Sequence, residues 1–175
     1  MKDKKVSQSL YLVISLIVAG ALMRLIPHWP NFTPIAAIAL FGGTYIRRKE
    51  LAIVIPLAAL FLSDLLLGFH STMIAVYASF VLIATLGFLV RRNPSVINIT
   101  GFSLASSVLF FLITNFAVWY SGLVPYSRDA AGLITAYVAG LPFLWNGMLG
   151  DLFYNGLLFG ALYLINNRIS LPEKA

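Results

Sequence analysis

Five polar residues stand within or at the ends of apolar stretches: Arg24, Asp64, Asn115, Asn146 and Asp151. An ionisable group in hydrocarbon is costly, so it either pairs with a partner or serves a function. Arg24 with Asp64, or Arg24 with Asp151, is the candidate ion pair. His28 and His70 are the two histidines of the chain, and neutral imidazole is the commonest side-chain metal ligand. No H-x-x-H or H-E-x-x-H spacing joins them, which argues against a self-contained zinc site. There is no cysteine, so disulfides, thiolate ligands and cysteine nucleophiles are excluded. No P-loop, GxGxxG or GxSxG segment occurs either. An enzyme is therefore not expected. The alternative is an intramembrane acid–base reaction by His70 with Asp64 or Asp151.

The elements that must position these groups are transmembrane helices. The chain has 175 residues, 60% of them apolar and 10% charged; a soluble domain carries about 25% charged residues. Apolar runs near the roughly 20 residues needed to cross a bilayer recur along it. We read one six-span domain, with spans at about 8–26, 34–46, 51–69, 73–90, 98–121 and 143–166. The second is short, so it is tilted or partly buried in protein. Residues 131–141, "AGLITAYVAGL", are apolar but too short to cross, and are read as a short helix in the last connection. The first run lacks an A-x-A-type cleavage site and more spans follow, so it is read as a retained helix.

Ten of the 12 basic residues fall on one side of this topology. They are Lys2, Lys4, Lys5, Arg47, Arg48, Lys49, Arg91, Arg92, Arg168 and Lys174; Arg24 and Arg128 lie toward the other. The positive-inside rule then makes both termini cytoplasmic, in a multi-pass protein of the cytoplasmic membrane. Nucleic acid is not an expected partner, because the basic residues are scattered over separate loops with no stacking platform. The segment "PHWPNFTP" (27–34), the "GFHST" connection with His70, and the long last connection lie outside. So do the three tryptophans, Trp29, Trp119 and Trp145. They form either an interfacial aromatic belt or a stacking wall for a flat ligand.

Arg24, Asp64, Asn115, Asn146 and Asp151 all fall in the outer half by this reading. Asp64 is placed about a turn and a half below the outer end of its span, and Asp151 about two turns below its own. An ion pathway would spread polar groups through the whole depth. A binding site open to the outside gathers them in the outer half. On the last span Gly147, Asp151 and Asn155 share one face. Gly156 and Gly160 form a small-xxx-small pair, read as packing within the bundle, and Ser15 and Ala19 form another.

"RLIPHWPNFTPIAAIALFGGTYI", "LAALFLSDLLLGFHSTM", "FFLITNFAVWYSG" and "GMLGDLFYNGLLFG" span residues 24–160, most of the chain. They resemble small bacterial membrane proteins related to the substrate-binding S-components of energy-coupling factor vitamin transporters. Within that group the chain looks most like the BtuM-type cobalamin S-components. The resemblance implies a six-helix S-component-like bundle that takes up a micronutrient, cobalamin or a related corrinoid, in an outward cavity capped by the outer loops. His28, Trp29, Asn31 and Phe32 would then belong to the lid and wall of that site. No intrinsic cofactor is implied; cobalamin would be the transported ligand. S-components dock on a membrane scaffold with two ATPases, partly through an Ala-x-x-x-Ala pair on the first helix. Here the nearest pattern is Ser15-x-x-x-Ala19, which leaves solitary action open. In the BtuM type a cysteine after the third helix ligates cobalt; His70 occupies that place here, as an axial ligand. Another vitamin or small nutrient in the same cavity is the alternative.

Overall fold

A computed structural model describes the backbone of residues 2–169 and the side chains of residues 10–167. These residues form six α-helices: α1 (Lys2–Met23), α2 (Ile35–Tyr45), α3 (Lys49–Leu67), α4 (Met73–Val90), α5 (Val96–Ser121) and α6 (Ala130–Ile169). The all-α membrane-type architecture expected from composition is the one observed. Helices α3, α4, α5 and α6 are long and apolar enough to cross a bilayer. The apolar part of α1, Leu10–Met23, is shorter.

Helix α2 organises the rest. Its sequence, IAAIALFGGTY, is apolar on every side, and a helix of that kind is stable only when surrounded. Every residue from Ile35 to Thr44 is buried. α2 packs against each of the other helices, which close a ring around it in the order α1, α3, α4, α5, α6 and back to α1. Small residues permit the closest approach. A Cβ on Gly43 would lie 2.0 Å from the Ala84 carbonyl oxygen, and one on Gly87 would lie 2.7 Å from the Gly43 Cα. Arg91 closes the end of α2: its guanidinium donates to the carbonyls of Gly43, Thr44, Ile46 and Arg47. Those carbonyls have no acceptor role left within a helix that stops there, so the cation supplies it. Burial, and then the charge of Arg47, lower the Arg91 pKa.

Eleven residues reach about 16 Å, half of the roughly 30 Å hydrocarbon core. The second expected span is thus a half-helix enclosed by protein, not a full crossing. The chain enters α2 as irregular backbone: Leu25–Asn31 are exposed, while Phe32 and Thr33 are half-buried and Pro34 fully buried.

The end of the chain also departs from expectation. Residues 131–141 are not a separate short helix; they continue into α6, a helix of 40 residues. Pro142 removes one backbone donor without ending it. The reason is packing along α5: Tyr137 donates to the Leu112 carbonyl at 2.9 Å, and Gly140 abuts Asn115 and Phe111. Nor do Gly156 and Gly160 pack inside the bundle, since a Cβ at either would meet nothing within 4 Å.

The first turn of α6 is capped by Asp129, whose Oδ1 accepts from the Gly132 amide at 2.8 Å and the Ser127 hydroxyl at 2.7 Å. These bonds, Ser127 first, hold its carboxyl below the usual carboxylate range. A carboxyl more acidic when folded stabilises above its unfolded pKa, and the effect fades as pH falls through the folded pKa. Acidification through the carboxylate range is therefore expected to lower amide protection factors at residues 131–133. Asp129→Ala should show the low protection already at neutral pH and lose the pH dependence.

Candidate functional site

Because α2 fills only one half of the ring, the other half is open. It holds a cavity of about 480 Å³, at the end opposite Arg91. Ile35, the first residue of α2, and Leu60 of α3 border it below. Its walls include Arg24 at the end of α1, Val76 and Phe80 of α4, Phe110 and Asn115 of α5, and Gly140 and Phe143 of α6. The connections contribute Asn31, Thr33, His70, Thr72 and Tyr126. A smaller recess of about 50 Å³ shares Asn31, Thr33, Phe80, Phe110 and Phe143 with this cavity and reaches Ser107 and Asp151.

Arg24 chooses Asp64. Its Nη1 donates to one carboxylate oxygen of Asp64 and, at 2.6 Å, to the Ser63 hydroxyl. The second oxygen of Asp64 accepts from the Tyr77 hydroxyl at 2.8 Å. The carboxylate is 1% exposed and Arg24 15%. This is a closed unit: a buried charge paired and hydrogen-bonded on both oxygens, joining α1, α3 and α4 beside the cavity.

Asp151 has a different setting. It is buried, and its Oδ2 accepts from Ser107 of α5 at 2.6 Å. Ser107 lies 11 residues from the start of α5, about 16 Å along it. Asp151 is therefore near the middle of the bundle, deeper than the two turns expected, because α6 starts earlier than position 143. Below it on the same face of α6, Asn155 donates to the Ser103 hydroxyl at 2.9 Å, and its Oδ1 is buried with no donor.

The remaining candidates divide. Asn31 and His70 line the cavity with Asn115. Asn31 holds the left-handed backbone (φ 62°) at which the chain turns inward, a conformation asparagine tolerates better than most residues. His70 is exposed at the mouth, its Nδ1 3.1 Å from the Thr72 hydroxyl. Asn115 donates to the Phe111 carbonyl at 2.9 Å. Phe32 is an anchor for the entering strand of chain, with its ring 5.8 Å from Phe153 and 5.7 Å from Tyr154. His28 and Trp29 border a separate shallow outer recess with Pro27, and His28 Nδ1 donates to the Ile26 carbonyl at 2.6 Å. Trp119 donates to the Ser127 carbonyl at 2.9 Å, tying down the last connection. Trp145 is 66% exposed on the outer surface of α6. Asn146, Trp119, Trp145, His28, Trp29 and Phe32 thus stand outside the cavity lining. The tryptophans do not form a common wall.

Sequence reading missed Thr33, Tyr77, Phe80, Ser107, Phe110 and Phe143. A phenylalanine in an apolar helix carries no sign of which side it faces. The spacing of Ser103 and Ser107 opposite Asn155 and Asp151 is the one signal that was available. Among the described residues no group of three or more His, Asp or Glu side chains is placed to hold a metal ion.

No curated protein and no solved structure matches the chain. Residues 4–173 match a family described as "Family of unknown function (DUF6580)". With nearly the whole chain covered by that match, the protein belongs to the DUF6580 family.

Proposed function

We propose that this protein is the substrate-binding membrane subunit of a micronutrient uptake system, capturing its ligand from the outer face of the cytoplasmic membrane. The observation that carries the reading is the half-filled ring: a cavity open at one end, floored by a buried half-helix, and lined by polar groups from every ring helix or its connection. Arg47 and Arg91, expected on the cytoplasmic side, meet at the opposite end. A volume of about 480 Å³ falls within the roughly 300–1,000 Å³ of small-molecule sites. Ser15 and Ala19 are exposed on α1, where a scaffold subunit would dock. The reading assigns no catalytic step to the chain.

Two ligand classes follow from two observations. His70 at the mouth favours a corrinoid seated over the cavity with its cobalt on the imidazole. The volume favours a nutrient smaller than cobalamin, which would not fit inside whole. The deciding experiment is the optical spectrum of the purified protein with and without cobalamin, beside His70→Ala. A cobalt band shift that the variant loses is the expected result for the corrinoid. Without any shift the corrinoid is discarded, and calorimetric screening of smaller vitamins decides the uptake reading itself.

A further inference from the structure

We propose that the recess at the bottom of the cavity recognises a positively charged organic group, so that the ligand is an ammonium- or guanidinium-bearing compound. The inference rests on the reading of the cavity as a ligand site, and names the class of ligand.

The two carboxylates of the bundle are not equivalent. Asp64 is neutralised by Arg24, the sole ion pair among the described residues. Asp151 is equally buried and has one hydroxyl, that of Ser107, as its hydrogen-bond partner. A buried carboxylate without a cation is costly. The cation that would compensate it is absent from the protein side of the recess, whose lining holds no lysine, arginine or histidine. One turn further along α6, outside the lining, the buried amide oxygen of Asn155 is also without a donor.

The rest of the lining fits the same group. Phe80, Phe110, Phe111 and Phe143 surround the recess. Aromatic rings attract cations through their quadrupole, most strongly where water is excluded, and cages of such rings hold quaternary ammonium groups. Asn31 and Thr33 add polar atoms at the junction with the main cavity. A space needs roughly 10–15 Å³ to hold one water-sized group, so about 50 Å³ takes about four, the size of a small ammonium or guanidinium head. The larger cavity above takes the body of the ligand. An anionic group would meet Asp151 and has no cation there to offset it.

The test uses the full-length protein in detergent and isothermal calorimetry. Tetramethylammonium and choline are the cationic probes; 3,3-dimethylbutan-1-ol is the uncharged isostere of choline. Choline is expected to bind at least about tenfold more tightly than its isostere. Asp151→Asn, which keeps the Ser107 hydrogen bond, should bring the two within about twofold. Phe143→Leu removes one ring of the recess and should weaken tetramethylammonium several-fold, more than it weakens the uncharged isostere. Equal binding of choline and isostere to the native protein overturns the charge preference while leaving the cavity as a ligand site. A preference that survives in Asp151→Asn overturns the role of this carboxylate. No binding of either cation at millimolar concentration overturns the inference, and the vitamin screen then judges the cavity separately. The comparison of the two choline isosteres needs no variant, so it stands even where Asp151→Asn fails to fold.

Discussion

Gly43→Ala is expected to be among the most destabilising single substitutions in this protein, lowering the unfolding free energy by at least about 3 kcal/mol. The added methyl would sit 2.0 Å from the Ala84 carbonyl oxygen and 3.0 Å from the Gly87 Cα. Both are backbone atoms, so no side chain can move aside. Helices α2 and α4 must separate, and α2 is the element against which every other helix packs. In a bilayer, where the surrounding lipid is as apolar as the helix faces, this close packing is the main force between helices. Alanine at Gly156 or Gly160 provides the contrast. Both positions face open space, so the substitution should be neutral, or stabilising by up to about 1 kcal/mol through helix propensity. Denaturation in detergent of the three variants side by side checks this. Equal destabilisation of all three would mean that α2 and α4 do not cross at these glycines.

Arg24→Ala comes second, with an expected cost of roughly 3–5 kcal/mol. The loss is not the value of the ion pair itself. It is the cost of leaving Asp64, 1% exposed, without its cation while Tyr77 satisfies one of its oxygens. Removing both charges should therefore cost less than removing the arginine alone. Arg24→Ala combined with Asp64→Asn is expected to recover a substantial part of the stability, and the double-mutant cycle measures how much. Additive losses would show that the two residues act independently. Because Arg24 also lines the cavity, the double variant separates a structural role from a binding one: restored stability with weakened ligand binding identifies Arg24 as a wall residue in its own right.

The sequence by itself determined the class of the molecule. Six apolar runs, four of which are helices long and apolar enough to cross, the shortness of the second run, and the confinement of polar residues to a few positions were legible, because hydropathy reports which residues leave water. The ion-pair partners were narrowed to Arg24 with one of two acids. Hydropathy does not report what replaces the water. Lipid and protein interior are equally apolar, so beyond its shortness nothing in IAAIALFGGTY marks it as the centre of a ring rather than a lipid-facing span, and nothing marks Phe80, Phe110 and Phe143 as facing a cavity. For the same reason "AGLITAYVAGL" and the run after Pro142 read as two elements, although packing along α5 holds them as one helix and moves Asp151 to mid-depth. The choice of Asp64 over Asp151 was likewise made by the tertiary structure: it seats the Arg24 guanidinium on Ser63 and Asp64 of α3, and so leaves one buried carboxylate beneath the cavity without a charge to meet it.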